Sequence, residues 1–238
     1  MINAHGICRY FRQPDGGILR ALENVDLRID DGNLAVIAGE NGSGKSLLMK
    51  IIAGLDKPTK GTVEATAAGL VFQDADAQIL ADTPLDDVMF GLRNRKDIPK
   101  ARMKEIAEEY LRKVGLWDIR YNPSHLLSGG QKRRLAVASV LALGRKTMIF
   151  DEPYSNLDYQ GVKSVNSIIG QLKESGYTVL ILTHELEKCL GMADRFIVLH
   201  EGRIRFDGTP EEGLALDLEK WGIRNPLPGG RPDALVWH

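Results

Sequence analysis

Hydrophobic and polar residues alternate over residues 22–29, whereas residues 34–39 form a short, continuous apolar run. Alternation at every second position is typical of a half-buried strand, and a short apolar run is typical of a strand covered on both faces. Further strand signals follow at residues 69–73, 147–151, 178–184, 195–200 and 202–208. The chain is therefore predicted to contain a central sheet that is assembled from well-separated segments.

Helical periodicity fills the intervals between these strands. An amphipathic pattern begins at Ser46 and stops at Gly54, and residues 162–175 form another helical stretch. Apolar residues recur with a period of about 3.6 along a stripe that ends at Gly115 and contains Met103, Ile106, Ala107, Tyr110, Leu111 and Val114. Because buried strands alternate with helices, we predict an α/β fold with a parallel sheet and a mostly helical segment over residues 75–145.

The composition of the chain excludes some classes of protein but does not indicate a function. The 238 residues are 43% hydrophobic and 26% charged, as in an ordinary globular protein. A net charge of −1 argues against a dedicated nucleic-acid binder. Cys8 and Cys189 are far apart and are expected to be buried, reduced thiols. The first residues lack a signal-peptide pattern and no apolar run approaches ~18 residues, so we expect a cytosolic chain that does not span a membrane.

The stretch GENGSGKS, Gly39–Ser46, has the spacing of a phosphate-binding loop. It lies between a predicted buried strand and a predicted helix, which makes a plain glycine-rich turn a weak alternative. Its glycines allow backbone N–H groups to face phosphates. We predict that Lys45 reaches the β- and γ-phosphates of a nucleotide and that the Ser46 hydroxyl binds Mg²⁺.

A second motif, TMIFDEP, places two acidic residues at the end of a predicted strand. Ligands bind beyond the carboxyl ends of strands in open α/β sheets. Asp151 is therefore predicted to hold Mg²⁺ through water, and Glu152 to polarise the attacking water. The alternative is an acidic pair that caps the following segment.

Five motifs together resemble one family. GENGSGKS, LSGGQ at 127–131, MIFDEP at 148–153, SNLD at 155–158 and TH at 183–184 occur in the order and spacing of nucleotide-binding subunits of ABC transporters. The resemblance covers about residues 1–210. It implies an α/β, P-loop NTPase (RecA-like) core with an N-terminal antiparallel β subdomain and an inserted α-helical subdomain. The implied divisions of this single ATPase domain are a nucleotide-binding core (1–74 and 146–210), a helical signature subdomain (75–145) and a C-terminal tail (211–238).

The resemblance also implies roles for individual residues. The catalytic residues would be Glu152, His184 and Lys45, with His184 sensing the γ-phosphate. The Mg²⁺ ligands would be Ser46, Gln73 and Asp151. The nucleotide-binding residues would be Tyr10, Gly39, Asn41, Gly42, Ser43, Gly44, Lys45, Ser46, Leu47, Gln73, Ser128, Gly129, Gly130, Gln131 and Asp158. Tyr10 is the choice for stacking on adenine, with Phe11 and simple core packing as alternatives.

Two positions depart from the family pattern. Position 47 is leucine where a second hydroxyl is usual, so one hydrogen bond worth ~1 kcal/mol is absent there. Tyr154 replaces the commoner threonine or serine. The other histidines, His5, His125, His200 and His238, are given no role in the site. Since the signature, Glu152 and His184 are intact, we expect a hydrolysis-competent site.

The segment 71–94, VFQDADAQILADTPLDDVMFGLRN, resembles the energy-coupling-factor and cobalt/nickel-type importer branch. That resemblance implies a small membrane coupling subunit that contacts residues 73–94. Asp86 and Asp87 would then face arginines of that partner, or alternatively they cap the next helix. The tail, rich in proline and glycine, is expected to be loose or family-specific.

The implied function is an ATP-hydrolysing subunit of an importer for a metal ion (cobalt or nickel) or a vitamin, with ATP and Mg²⁺ as cofactors. Its implied partners are a second copy or paralogue, the coupling subunit and a substrate-binding membrane subunit, with no nucleic acid. It would lie in the cytoplasm, peripheral on the inner face of the cell membrane. The alternatives are another class of ABC transporter, such as an exporter or lipid-handling system, and a soluble, non-transport ABC ATPase.

Overall fold

The structure, a computed structural model, describes residues 1–93, 95, 97–227, 231–232 and 235–237. The strands are β1 Ile2–Arg12, β2 Ile18–Ile29, β3 Leu34–Ala38, β4 Lys60–Ala65, β5 Ala68–Val71, β6 Thr147–Asp151, β7 Thr178–Leu182, β8 Arg195–His200 and β9 Arg203–Gly208. The α-helices are α1 Lys45–Ile52, α2 Pro84–Arg93, α3 Lys100–Lys113, α4 Gly129–Leu141, α5 Tyr159–Glu174 and α6 Pro210–Leu214. Among the described helices, none has the length and apolarity needed to cross a bilayer.

The central sheet has the strand order β5-β6-β7-β3-β8-β9. All its strand pairs are parallel except β8 with β9, which is antiparallel. Every residue of β3, β6 and β7 is buried. Successive residues face opposite layers, since Val36 packs in one hydrophobic cluster and Ile37 in the other. The prediction of a parallel sheet covered on both faces is confirmed.

A second, antiparallel sheet of order β2-β1-β4 lies at the N-terminal side of the fold. Its apolar residues, including Ile7 and Val25, share one hydrophobic cluster with Leu48 and Met49 of α1 and with Ile37 of β3. The helix that follows the phosphate-loop motif is thus packed between the two sheets. This packing fixes the position of the loop at its start.

Helices α2, α3 and α4 lie within residues 75–145, the segment predicted to form a helical subdomain. Met103, Ala107 and Leu111 are buried along one face of α3, as their spacing predicts. The helix ends just before Gly115, whose φ of 66° suits a left-handed terminating residue. The two strands that flank this subdomain, β5 and β6, pair with each other, so the insertion leaves and re-enters the sheet at neighbouring positions.

Strand β5 is shorter than the sequence pattern predicts. It ends at Val71, whereas the apolar pattern extends to Gln73. The Phe72 amide donates to the side-chain oxygen of Gln78 at 2.9 Å, and the Phe72 carbonyl accepts from Arg133. Side chains therefore replace the sheet ladder at this point and turn the chain away from the sheet.

The described part of the tail is packed and not loose. Leu218, Ile223 and Leu235 are buried in the larger hydrophobic cluster, and Trp237 packs against it. Asn225 donates to the carbonyl of Leu214 at 2.9 Å. His238 and five other tail positions (228–230, 233 and 234) lie outside the described residues.

The acidic pair at the start of α2 does not offer two charges to a partner. Asp87 is 4% exposed and accepts hydrogen bonds from the amides of Leu80 and Ala81 and from the Ser139 hydroxyl. Asp86 accepts from the Thr83 hydroxyl, which in turn caps the Asp86 amide. The prediction of a partner contact is wrong for Asp87, because its buried carboxylate already accepts hydrogen bonds from residues of the same segment.

Substituting Asp87 with alanine is expected to lower the free energy of unfolding by about 3 kcal/mol, since two backbone amides and a hydroxyl lose the buried carboxylate that accepts their hydrogen bonds. The matched change Asp86→Ala removes a half-exposed carboxylate and is expected to cost about 1 kcal/mol or less. Denaturant unfolding of both variants measures the difference. Equal losses would show that the Asp87 network contributes little to stability.

Candidate functional site

The phosphate-loop motif connects β3 to α1 through backbone positions that admit only glycine. Gly44 has a φ of 101°, and a side chain there would approach the Ala21 carbonyl to 2.9 Å. A side chain at Gly39 would lie 2.2 Å from the Leu199 carbonyl. Contacts with β2 and with the end of β8 therefore require glycine, and they hold the loop closed over the start of α1.

Lys45 lies inside this loop. Its ammonium donates to the carbonyl of Gly39 at 2.7 Å and to that of Glu40 at 3.1 Å. Burial lowers the pKa of Lys45, opposed by the nearby carboxylates of Glu152 and Asp151. The lysine is thus a buried cation that is held in place by neutral backbone oxygens. A negatively charged acceptor would bind its ammonium more strongly than these oxygens do.

Ser46 and Asp151 meet although they are far apart in sequence. The Ser46 hydroxyl donates to a carboxylate oxygen of Asp151 at 3.1 Å. Asp151 ends β6, where burial raises the pKa of its carboxyl and the Ser46 hydrogen bond partly offsets that rise. The start of α1 and the end of β6 therefore bring two hard oxygen ligands to one place.

Glu152, the next residue, has an unusual backbone conformation, and only one of its two carboxylate oxygens has partners among the described residues. Its φ is 46°, uncommon for a residue other than glycine, and its amide donates to the Leu182 carbonyl at 2.8 Å. One carboxylate oxygen lies 3.1 Å from the His184 ring and 4.0 Å from the Lys45 ammonium. The other oxygen is buried without a hydrogen-bond partner among the described residues. Three predicted catalytic side chains thus form one contact group.

An open cavity of about 330 Å³ lies over Lys45 and Glu152, and neither His184 nor Asp151 is among its lining residues. Its lining is Ala21, Asn41, Gly42, Ser43, Gly44, Lys45, Ser46, Leu47, Gln73 and Glu152. The predicted phosphate-binding residues and Gln73 are therefore brought together. Tyr10 and Phe11 are not among the lining residues; arginine side chains pack on both rings instead. A role for either ring in adenine binding stays a prediction.

The LSGGQ motif starts α4. Ser128 is its N-cap and accepts from the Gln131 amide, while the Gln131 side chain accepts from the Ser128 amide. A separate cavity of about 390 Å³ opens over this helix start and is shared with Asp158 and neighbouring residues of α5. Asp158 caps α5 by accepting from Gly161 at 2.8 Å. The two helix starts face one cavity that has no lining residue in common with the cavity over Lys45.

Two cations beyond the signature were not singled out from the sequence. Arg133, buried in α4, donates to the carbonyls of Phe72 and Gln73. Lys132 pairs with Asp76. The sequence does show three basic residues just after LSGGQ, at 132–134, but basic residues on the exposed face of a helix explain that run equally well. We name these contacts of Lys132 and Arg133 with residues 72–76 the basic clamp.

Comparison with known proteins places this site in a family. The ABC transporter family matches residues 22–155. The energy-coupling factor transporter ATP-binding protein EcfA of Carboxydothermus hydrogenoformans is 36% identical over 91% of this chain and 85% of its own length. The solved structure of cbiO1 from Clostridium perfringens, part of the ABC transporter complex cbiONQ, is 30% identical, with a TM-score of 0.79 over 94% of this chain and 95% of that one.

A second solved structure adds a functional state. The ATP-binding cassette MJ0796, in a dimeric post-hydrolysis state bound to ADP and Pi, is 27% identical, with a TM-score of 0.79 over 88% of this chain and 99% of that one. The fold, the motifs and these similarities all indicate the same family. The chain therefore belongs to the ABC transporter family, in the group of energy-coupling factor ATP-binding proteins, and its domain is an ATPase.

Proposed function

We propose that this chain powers an importer of the energy-coupling-factor type for a metal ion, such as cobalt or nickel, or for a vitamin. The observation that carries the ATP-hydrolysing part of the proposal is the contact group of Lys45, Glu152 and His184 beside Ser46 and Asp151. The energy-coupling-factor part of the proposal is supported by similarity to EcfA and to cbiO1, which is described as part of the ABC transporter complex cbiONQ.

In the proposed mechanism Glu152 polarises the attacking water. Its unpartnered oxygen is the available acceptor for a water proton, and His184 holds the other oxygen in place. Lys45 releases its loop carbonyls and binds the β- and γ-phosphates, where its charge offsets the negative charge of the transition state. His184, which is half exposed beside Glu152, would contact the γ-phosphate.

The residues present fit Mg²⁺. Ser46 and Asp151 supply a hydroxyl and a carboxylate 3.1 Å apart, and Gln73 lines the cavity that Ser46 also lines. Hard oxygen ligands are the ones that Mg²⁺ prefers. When bound, the ion would neutralise phosphate charge; the chain's own part is to hold these oxygens at the end of β6 and the start of α1.

We infer that two copies, or this chain and a paralogue, enclose two nucleotides. A side chain at Gly129 or Gly130 would meet no described atom within 4 Å, and neither glycine has a positive φ. The chain itself therefore gives no steric reason for glycine here. Close approach of an anion held by a second copy supplies one, and Ser128 adds its hydroxyl and the helix start.

The coupling subunit is proposed to contact residues 73–94. Leu80 and Phe90 there are 66% and 43% exposed, which suits contact with an apolar partner surface. Asp86 is available for charge contacts, Asp87 is not, and Asn94 lies outside the described residues. Through this contact the chain would sit on the inner face of the cell membrane.

Affinity purification of the tagged chain from its native cells tests the proposal. We expect small multi-span membrane proteins to co-purify, and we expect the double substitution Leu80→Glu with Phe90→Glu, at two exposed apolar side chains, to release them without loss of ATPase activity. A Leu55→Glu change, at an exposed apolar residue outside the segment, is the control. Recovery with ribosomes or DNA instead would favour the soluble, non-transport alternative.

A further inference from the structure

Tyr154, which departs from the family pattern, is fully buried two residues after Glu152. It is 1% exposed, and its hydroxyl donates to the side-chain oxygen of Asn166 at 2.8 Å. Asn166 lies in α5 and is itself 5% exposed. A phenol in this position needs a partner, since a buried hydroxyl without one is costly. The departure from threonine or serine is thus matched by a buried amide on the neighbouring helix.

The same amide also holds the segment after His184. The Asn166 nitrogen donates to the Lys188 carbonyl at 2.8 Å, and Lys188 stands four residues beyond His184. One side chain in α5 therefore bonds the segments that follow Glu152 and His184, the two residues whose side chains meet at 3.1 Å.

The C-terminal segment 235–237 provides the third partner of this amide. The Asn166 nitrogen donates its other proton to the Trp237 carbonyl at 3.1 Å. Leu235 is buried, and its carbonyl accepts from the Gly191 amide at 3.1 Å. The Lys188 ammonium lies 5.2 Å from the centre of the Trp237 ring. Both amide protons are satisfied only because the chain end returns to this place.

This arrangement bears on catalysis because the Glu152 backbone is strained. A φ of 46° at a residue other than glycine persists only where surrounding contacts hold it. Tyr154 anchors the chain just after this residue. Release of the anchor would let the carboxylate move relative to His184, and small displacements at a reacting centre have large effects on rate.

We propose that Asn166 is a positioning residue for ATP hydrolysis. Through Tyr154 and Lys188 it fixes Glu152 against His184, and the C-terminal segment 235–237 completes its bonding. The proposal rests on the proposed roles of Glu152 and His184. It concerns the rate of the chemical step and not the binding of ATP, since the amide contacts none of the residues that line the cavity over Lys45.

The test compares Asn166→Leu, Tyr154→Phe and a chain truncated after Ala234, all in the full assembled transporter. We expect Asn166→Leu to lower kcat about tenfold while the dissociation constant of ATP changes less than about twofold. Tyr154→Phe and the truncation, which each remove one bond of the amide, should give smaller losses of kcat with unchanged ATP affinity. The double change Tyr154→Phe with Asn166→Leu should be no slower than Asn166→Leu alone.

Ser167→Ala, an exposed neighbour on α5, is the control and should leave both constants unchanged. An unaltered kcat in folded Asn166→Leu overturns the proposal, as does a loss of ATP affinity equal to the loss of kcat. Should Asn166→Leu fail to fold, an unaltered kcat in Tyr154→Phe overturns it. Activity retained by Glu152→Gln in the same assay would instead refute the proposed role of Glu152, on which this inference rests, and this separates the two failures.

Discussion

Replacing Glu152 with glutamine is expected to slow ATP hydrolysis by about 10²–10⁴-fold while ATP still binds. Glutamine keeps the size of the side chain and an oxygen for the 3.1 Å contact with His184, but it cannot take a proton from water. The unpartnered carboxylate oxygen is the group that is lost. Phosphate release under saturating ATP measures the rate, and equilibrium binding of ATP measures the affinity.

Lys45→Ala provides the contrasting variant. Its ammonium lies inside the loop and contacts loop carbonyls directly, so its removal should weaken nucleotide binding itself. Full ATPase activity in Glu152→Gln would show that another group polarises the water. Equal binding defects in the two variants would show that Glu152 acts in ATP binding.

Substituting Ser128 with arginine is expected to leave ATP binding by a single chain nearly intact and to abolish cooperative hydrolysis. The side chain would stand at the start of α4, in a cavity that shares no lining residue with the one over Lys45. The chain's own phosphate loop is therefore untouched, whereas the surface proposed to meet the second copy is blocked. The dependence of the specific rate on protein concentration measures cooperativity.

Two further variants separate this effect from the loss of a helix cap. Ser128 accepts from the Gln131 amide, and losing such a cap costs about 1 kcal/mol. Aspartate keeps the cap but places a negative charge against the partner's phosphate, so Ser128→Asp should also abolish cooperative hydrolysis. Asparagine can cap the helix without adding a charge, so Ser128→Asn should retain more of the cooperative hydrolysis than Ser128→Asp. Cooperative hydrolysis in Ser128→Asp equal to that of the unaltered chain would contradict the proposed contact.

The parts of the fold that follow from local pattern were predictable. Runs such as 34–39 and 147–151 are buried on both faces, and burial of that kind needs only continuous apolar sequence. The phosphate loop was predictable because Gly39 and Gly44 occupy positions where a side chain would collide with backbone. These signals lie within a few residues of each other in the sequence.

Features that depend on distant partners were not predictable. Asp87 appears as one of two acidic residues at a helix start, and only the approach of Ser139 from α4 shows that its carboxylate is internal. Asn166 gives no signal in an amphipathic helix, because its three bonds reach residues 154, 188 and 237. Burial of a polar side chain is a property of the packed fold and not of a short pattern.

The basic clamp has a thermodynamic consequence for energy conversion. Lys132 and Arg133 join residues 72–76, next to the proposed membrane partner, to the helix that begins at the LSGGQ serine. If the membrane partner favours one position of this helix, then nucleotide held against Ser128 must change the affinity for that partner by the same factor. Coupling of this kind is reciprocal. Weakening the basic clamp should therefore reduce two effects by the same free energy: the effect of the membrane partner on the affinity for ATP, and the effect of ATP on the affinity for the membrane partner.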